Sequence, residues 1–374
     1  MAPRRLSIRR ASAERATAAD RPGIAQPVPE RPVPDHPWPL ILGVAFVLFA
    51  LLLGGWELYW RGKQAIPGYR DDEALWAIQW RRVLREPDST VLVGSSRTFF
   101  DIQLPVWERL SGRRPIQLAL VGTSPTFALE QLAEEPVFRG RVLVGIAPDL
   151  YFTGYEFLGN VKTYWRKESP SQELGKWLSM RLIEPWFAFY DPDFALFTVY
   201  ARQPWTDRPG KPFGLRVRKL SVTAADRNNY LWKRLETDAG YRALVQRTWA
   251  TNFDALTPDE VAHARKATDE ALARTATAVA KLRARGVSVL FVREPSTADY
   301  LHYEDQWFAR HDHWDTLLAR TASPGIYFQD YPELSTGYVL PEWSHMTRES
   351  AERYTEALYR IIERGFANSQ TGRW

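Results

Sequence analysis

The sequence predicts an α/β fold with a mostly parallel sheet, and three observations support this: short aliphatic runs, amphipathic helical segments between them, and long crossovers from one run to the next. The runs are rich in β-branched residues and poor in charge, which is typical of strands buried on both faces. Parallel strands need long crossovers, and the intervening helices cover the sheet. The predicted strands lie at 90–94, 116–121, 141–147, 287–293 and, more weakly, 325–329.

Two long helices complete this pattern. The segment 257–260, Thr-Pro-Asp-Glu, is a capping box with proline at the first helical position, and it opens a helix that runs to Arg285 and stops at Gly286. A second helix follows His345 and ends near Gly365. Ligands of such sheets bind at the carboxyl ends of the strands, so functional residues are expected in the loops that follow the strands.

Composition excludes several classes of protein. The chain has 374 residues, no cysteine, 45% hydrophobic residues and a formal net charge of +5. This hydrophobic content excludes a wholly disordered protein, and the lack of cysteine excludes a disulfide scaffold and a thiolate metal site. The net charge is small and is mixed with 44 acidic residues, so no nucleic-acid partner is expected.

The N-terminal region divides into a polar tail and an apolar span. Residues 1–37 contain seven prolines and seven arginines but few large apolar residues, which predicts a disordered tail. Residues 38–56 carry no charge, and a helix of this length measures about 28 Å, close to the hydrocarbon thickness of a bilayer. Aromatic residues at both ends suit the headgroup level, so an uncleaved transmembrane helix is predicted over 38–60.

Charge on the two flanks of the span predicts its orientation. The tail has seven arginines against four acidic residues, whereas the flank at 57–73 has three basic and four acidic residues. The positive-inside rule then puts the tail in the cytoplasm and the rest outside, in the periplasm if the source is a Gram-negative bacterium with this chain in its inner membrane. A juxtamembrane helical segment is predicted at 61–88, followed by the main domain at 89–368.

The stretch from about 150 to 255 interrupts the strand–helix rhythm. It is rich in aromatic residues and proline, as in EPWFAFYDPDFALFTVYARQPW at 184–205, and acidic residues break its apolar runs too often for a membrane span. We interpret it as a helical insertion. Two roles are open, covering the sheet or contacting the membrane surface or a membrane partner.

Three motifs follow predicted strands. Gly94-Ser95-Ser96-Arg97 comes directly after the first strand, where a serine hydroxyl can point out of the sheet edge. Gly122, after the second strand, lets a backbone N–H approach a ligand, and the following Ser124-Pro125 has the form of a helix cap. Each motif alone also fits an ordinary turn.

The third motif lies before the last helix. In the segment 341–346, Pro-Glu-Trp-Ser-His-Met, Glu342 is three residues before His345 and can hydrogen-bond its imidazole, which would orient the ring and stabilise the imidazolium. A surface cap is the simpler alternative for this motif taken alone. The joint order of serine, glycine and acid-x-x-His is far more specific than its parts.

This arrangement resembles the SGNH/GDSL hydrolase superfamily. In that family a Gly-x-Ser block, a glycine, an asparagine and a C-terminal Asp-x-x-His follow successive strands and form one serine-hydrolase site. With its N-terminal span, the chain looks most similar to membrane-anchored members that work beside membrane-bound O-acyltransferases, such as the alginate O-acetylation and D-alanyl-lipoteichoic acid proteins. The resemblance covers about residues 89–150 and 285–365 and implies a flavodoxin-like, three-layer sandwich.

The resemblance implies a role for each motif. Ser96 is the expected nucleophile, His345 the base and Glu342 the orienting acid, and the N–H groups of Ser96 and Gly122 are the expected oxyanion donors. No cofactor is expected. A glycan substrate, the inner membrane and a membrane-bound O-acyltransferase are the expected partners, and Arg97 is an expected substrate contact.

Two departures from the family pattern are visible. Residues 145–149, Gly-Ile-Ala-Pro-Asp, replace the third block and lack its asparagine, a loss that typically costs about 10²–10³ in rate unless another group substitutes. Arg97 and Asn160 are the candidates to substitute. Glu342 replaces the usual aspartate, which is a mild change because Ser-His-Glu triads occur.

Other residues give weaker signals. The histidines and aspartates of 311–315 raise the alternative of a metal site, but the segment fits a polar helix start better, and no metal is predicted. Arg293, at the end of the fourth strand, is an expected substrate contact, with an ordinary ion pair as its alternative. Two functions follow: a membrane-anchored serine O-acyltransferase or esterase that acts on an envelope or secreted glycan, or an inactive binding and assembly partner of an envelope-polysaccharide machine.

Overall fold

A computed structural model describes residues 35–203, 219–251, 253 and 258–366. The predicted disordered tail lies almost wholly outside these residues, and so does Thr257 of the predicted capping box. Residues 204–218 of the predicted insertion also lie outside them.

Seven strands form two sheets in the described part of the chain. Five parallel strands make the main sheet in the order β2-β1-β3-β6-β7, and two antiparallel strands make a hairpin. The predicted α/β class with a parallel sheet is therefore confirmed. The strands are β1 (Thr90–Val93), β2 (Ile116–Gln117), β3 (Arg141–Gly145), β4 (Ser221–Thr223), β5 (Asn229–Leu231), β6 (Ser288–Arg293) and β7 (Gly325–Tyr327).

Sixteen α-helices are described. Helix α12 ends at the predicted position, where Gly286 has a positive φ of 78° that suits glycine. The helices are α1 (Trp38–Gly62), α2 (Glu73–Arg85), α3 (Ser96–Asp101), α4 (Leu104–Ser111), α5 (Thr126–Glu134), α6 (Pro148–Tyr151), α7 (Val161–Lys167), α8 (Pro170–Leu182), α9 (Leu196–Ala201), α10 (Arg234–Thr237), α11 (Ala239–Ala250), α12 (Pro258–Ala284), α13 (Ala298–Trp307), α14 (Thr316–Thr321), α15 (Pro332–Ser335) and α16 (Arg348–Phe366).

The strand order determines where loops can form a site. The chain passes from β1 outward to β2 and then returns across β1 to β3, so the direction of winding reverses between β1 and β3. Right-handed crossovers on the two sides of this reversal put helices on both faces, with α16 against α3 and α4, and α12 against α5 and α14. The loops after β1 and β3 separate at the reversal, which is where doubly wound sheets bind ligands.

A continuous apolar core lies around the main sheet. Val91, Leu143 and Leu290 of three neighbouring strands are fully buried, and Leu272 of α12 and Leu358 of α16 join the same cluster. Burial of strands on both faces explains why the central residues of β1, β3 and β6 are all apolar, with polar residues only at strand ends.

Helix α1 is long and apolar enough to cross a membrane. Its first part belongs to a compact unit that ends at Leu53, and the residues from Gly54 onward belong to the second unit, which contains the α/β domain. No residue in the most apolar part of α1 is buried, unlike in the core helix of a globular domain.

The insertion is mostly helical, as predicted, with one correction. Its helices are α6 to α11, but residues 221–231 form the hairpin of β4 and β5, which the sequence analysis did not predict. Three-residue strands with polar members give too short an alternation to detect. A smaller correction concerns α5, which begins at Thr126 rather than at Pro125; the Ser124 hydroxyl still accepts from the Thr126 N–H (3.4 Å) and also bonds the Thr126 hydroxyl (2.8 Å).

Candidate active site

A buried hydrogen bond joins the carboxyl ends of β1 and β6 across β3. The Thr98 hydroxyl, just after β1, donates to Oε1 of Glu294, just after β6 (2.7 Å). A side chain at Gly94 would collide with Thr98, and one at Gly145 would collide with both partners. Glycine at the ends of β1 and β3 therefore leaves room for a polar link across the sheet edge.

Glu342 and His345 form a fixed pair in the loop before α16. One carboxylate oxygen, Oε1, accepts from the His345 N–H (2.7 Å) and from its Nδ1 (2.8 Å), which is the predicted hydrogen bond. This bond assigns the proton of a neutral imidazole to Nδ1 and leaves Nε2 as an acceptor. The pair is buried, with Glu342 0% and His345 2% exposed, and Nε2 has no hydrogen-bond partner among the described residues.

The backbone of this loop is strained between the two members of the pair. Trp343 has a φ of 73°, a left-handed conformation that a bulky side chain rarely adopts. Its carbonyl accepts from the Thr297 N–H (2.9 Å), a contact that helps to hold the conformation. Such strain persists only where surrounding contacts over-determine it, and it is common at functional sites.

Helix α3 packs against this loop. The Arg97 Nε donates to the Ser344 hydroxyl (3.1 Å), and the Met346 N–H donates to Oδ1 of Asp101 (2.9 Å). These hydrogen bonds join parts of the chain that are 245 and 247 residues apart. The Gly-Ser-Ser motif and the acid-x-x-His motif thus meet in one place.

The serines stand at the start of α3. Ser96 is its first residue and is half-buried, while the hydroxyl of Ser95 is buried with no hydrogen-bond partner among the described residues. Farther along α3, the ring of Phe100 lies 4.3 Å from the imidazole of His345, measured between ring centres. This contact packs one face of the imidazole.

Gly122 lies beyond the neighbouring strand. The Leu120 N–H donates to the Gly94 carbonyl (3.0 Å). The residues just after β2 therefore lie beside Gly94, which directly precedes the two serines. Gly122 has a φ of 60°, and nothing lies within 4 Å of the position that a side chain would occupy. The glycine is therefore required by its backbone conformation rather than by crowding.

Arg97 and Arg293, the expected substrate contacts, both lie inside the domain and are 1% exposed. Both pair with Glu304 of α13, at 2.8 Å from Arg97 and 2.6 Å from Arg293. Burial alone would raise the pKa of Glu304, but the two guanidinium groups outweigh burial and hold the pKa below its usual value. These contacts favour a positioning role for both arginines, and their contact with substrate stays a prediction.

Asp149 is a partly buried polar residue in the short helix α6, just after β3. Asp149 accepts from the Tyr300 hydroxyl (2.6 Å), and burial raises the pKa of Asp149. Arg97 stacks over the same tyrosine ring at 4.8 Å, and its Nη2 has no hydrogen-bond partner among the described residues. Asn160, the other candidate substitute, is exposed at the start of α7.

Two further buried acids lie under the site. Burial raises the pKa of Asp101 well above its usual value, and the nearby Glu294 and Glu342 charges act in the same direction. Burial also raises the pKa of Glu294. In both cases burial stabilises the neutral form of the acid relative to the same group in water.

Trp249 contacts the Glu342–His345 pair and was not predicted from the sequence. This residue of α11 donates from Nε1 to the second oxygen of Glu342 (2.5 Å), so both oxygens of that carboxylate are held. The contact joins the insertion to the pair across 93 residues, and no local pattern could reveal it. The richness of the insertion in tryptophan was the only signal.

The histidine-rich segment 311–315 is a short π-helix. His311 faces Asp312 (3.0 Å), whereas Nδ1 of His313 bonds the Ala309 carbonyl (3.1 Å). Within the described residues, no group of three or more potential ligands is arranged to hold a metal ion.

No protein family and no curated protein matches the sequence. The chemistry of the site therefore has to be argued from its geometry. A buried carboxylate–imidazole pair with a bare Nε2, next to a helix that begins with serine, has the parts needed for proton abstraction from a hydroxyl group.

Proposed function

We propose that the domain is an SGNH-type serine acyl-transfer enzyme, held at the membrane by α1. The observation that supports this most is the Glu342–His345 pair, whose Nε2 is buried without a partner against the helix that begins at Ser96. A structural histidine usually has both ring nitrogens satisfied, because an unpaired buried polar atom costs about 1–3 kcal/mol. A proton acceptor for a hydroxyl accounts for the unpaired nitrogen.

In the proposed reaction, the Ser96 oxygen attacks an acyl carbonyl while Nε2 of His345 takes the hydroxyl proton. Glu342 stabilises the imidazolium, and the N–H groups of Ser96 and Gly122 bind the oxyanion. The alcohol leaves with the proton from His345, and an acyl-enzyme remains. A sugar hydroxyl or water then attacks this ester and gives its proton to His345, and the Ser96 oxygen leaves with that proton, which restores the free enzyme.

The unpaired Nη2 of Arg97 supports a role in place of the missing asparagine. Arg97 follows Ser96 directly and bonds Ser344, the residue before His345. It therefore has direct contact with the loop of the proposed base, whereas Asn160 is exposed. We propose Arg97 as the positive group beside the oxyanion. The proposed setting is the outer side of a bacterial inner membrane, with an envelope or secreted glycan as acceptor and a membrane-bound O-acyltransferase as acyl donor.

Acyl-enzyme formation tests the proposal. The full chain in detergent, mixed with p-nitrophenyl acetate, should release a burst of nitrophenolate equal to the enzyme concentration. Ser96→Ala and His345→Ala should lose the burst, whereas Ser335→Ala, at the surface end of α15, should keep it. A soluble oligosaccharide that speeds the steady phase would identify a transferase, and no effect would identify an esterase.

A second candidate is an inactive binding and assembly partner of an envelope-polysaccharide machine. The observation that favours it is the Asp149–Tyr300 pair, which occupies the loop where the family has its asparagine. A folded protein without any burst would support this candidate and reject the enzyme. Circular dichroism and thermal unfolding of the same samples show whether each variant is folded.

A further inference from the structure

Exposed apolar side chains concentrate in the part of the insertion from 174 to 200. Phe197 is 80% and Leu196 71% exposed, far more than a globular surface needs. We call this surface the aromatic face. Its members are Leu174, Trp177, Leu178, Leu182, Trp186, Phe187, Tyr190, Leu196, Phe197 and Tyr200.

Helix α8 exposes apolar side chains and buries a charged one, the opposite of what is usual in a globular domain. Leu174, Trp177 and Leu178 follow helical spacing on one face and are exposed, whereas its one buried side chain is that of Lys176. The Lys176 ammonium contacts the buried Glu184 (3.2 Å). An amphipathic helix that turns a lysine inward and an apolar stripe outward is suited to an apolar environment outside the domain.

The aromatic face is fixed to the last turns of α1. Trp56 donates from Nε1 to the Phe194 carbonyl (3.1 Å), and the ring of Trp60 stacks on Phe194 with 4.5 Å between centres. Glu57 accepts from the backbone N–H groups of Ala188 (3.0 Å) and Phe189 (2.9 Å). The segment is therefore held by side chains on two consecutive turns of the helix.

These contacts determine the depth of the segment if residues 38–56 span a bilayer. Trp56 is the last residue of the uncharged run, and Trp60 lies about 6 Å farther along the helix axis at 1.5 Å per residue. The headgroup layer on each side of the hydrocarbon core is about 5–7 Å thick. The exposed side chains next to the buried Phe194 are thus held at headgroup depth, where tryptophan and tyrosine are enriched.

The charges around the aromatic face also suit a lipid surface. Arg181 of α8 stacks over Trp177 at 5.5 Å, and Lys63 lies over Tyr59 at 5.8 Å. An aromatic ring in the interface next to a cation that reaches the phosphates is a common arrangement in membrane-surface helices. A water-soluble partner protein would not require this pairing.

We propose that the aromatic face inserts into the headgroup layer of the bilayer that α1 crosses, as a second, monotopic attachment of the domain. The domain is then held on the membrane at two points and cannot rotate freely about α1. This inference rests on α1 being a membrane span and is independent of the proposed chemistry.

Site-directed fluorescence can test this attachment, because the chain contains no cysteine. Phe197→Cys and Leu178→Cys are labelled with an environment-sensitive nitrobenzoxadiazole probe in the full chain, reconstituted in phosphatidylcholine–phosphatidylglycerol vesicles. Val339→Cys and Val137→Cys, which are exposed apolar positions outside the insertion, serve as matched controls. Acyl-brominated lipids should quench the first two probes at least about twofold more than the controls.

Each other outcome overturns the inference. Equal quenching at the four positions would mean that the aromatic face is in water. A blue-shifted probe at Phe197→Cys that bromolipids do not quench would mean that protein covers the face. If this signal falls when vesicles contain one chain each, the cover is a second copy. The burst assay on the same samples is unaffected by these outcomes, so the two proposals fail separately.

Discussion

Helices α16 and α8 are both amphipathic, and they direct their apolar faces to opposite surroundings. In α16, Tyr354, Leu358 and Ile361 are buried in the core around the sheet. In α8, Leu174 and Leu178 are exposed and the lysine between them is buried. The same helical spacing thus identifies an apolar face in both regions, but the surroundings of that face differ, and this distinguishes the α/β domain from its insertion.

The two regions meet at Glu342, and the largest expected effect lies there. Glu342→Gln should lower kcat by about 10³–10⁴, because the amide no longer stabilises the imidazolium or selects the tautomer. Trp249→Phe removes only the indole N–H that the insertion donates to Glu342, and it should lower kcat about ten- to a hundredfold. Burst and steady-state kinetics with an acetyl ester measure both. Equal effects of Glu342→Gln and of Glu333→Gln, an exposed glutamate of α15, would contradict the proposed role.

The buried ion-pair group of the α/β domain should show the largest effect on stability. Glu304→Ala leaves two buried guanidinium groups without their shared carboxylate and should lower the free energy of unfolding by about 3–5 kcal/mol. Its control is Glu333→Ala, which removes an exposed pair with Arg364 and should cost less than about 1 kcal/mol. Urea unfolding of the full chain in detergent measures the difference. Similar losses would mean that Glu304 is not the centre of a buried group.

The two amphipathic helices provide the direct test of the comparison. Leu358→Ala in α16 should cost about 2–5 kcal/mol, because it opens a cavity in the core. Leu178→Ala in α8 should change the free energy of unfolding in detergent by less than about 0.5 kcal/mol. Should Leu178→Ala prove as costly as Leu358→Ala, the apolar face of α8 would have to be covered by protein.

The smallest expected effect is a change in pH dependence. Burial raises the pKa of Asp101 in the folded domain, so Asp101 contributes its full stabilisation at pH values below the usual pKa of a carboxyl group. This stabilisation is lost as pH rises through the pKa of Asp101 in the folded state. Asp101→Asn should therefore gain stability relative to the native chain as pH rises from about 4 to 8. Glu304→Gln should show the opposite trend at lower pH, because the pKa of Glu304 is lowered: it should lose stability relative to the native chain as pH rises toward about 4.5, the usual glutamate value. Thermal unfolding from about pH 2 to 8 measures both slopes, and slopes of the same sign would contradict this assignment.

The fold could largely be predicted from the sequence because its strands are buried on both faces. The β-branched runs of β1, β3 and β6 were visible as such, and so was the glycine stop of α12. The hairpin of β4 and β5 was missed because its strands are three residues long and contain polar side chains. Local patterns carry little information at that length.

The site was predictable only in its local part. The Glu342–His345 hydrogen bond follows from a spacing of three residues, and the structure contains it. Trp249 and Glu304 contact the site from distant parts of the chain. Trp249 bonds Glu342 across 93 residues, and Glu304 pairs with Arg97 of α3, so no local spacing in the sequence predicts either contact. The aromatic composition of the insertion was visible, but the exposure of its side chains depends on how α8 packs.

Mapping the residue that reacts with a fluorophosphonate tests the central claim most directly. The full chain is treated with the probe in detergent, digested and sequenced by mass spectrometry. We predict a single adduct on Ser96 that is lost in His345→Ala, while Ser95→Ala still carries it. An adduct on Ser95, on a serine outside the motif, or on no residue of a folded chain would contradict the account.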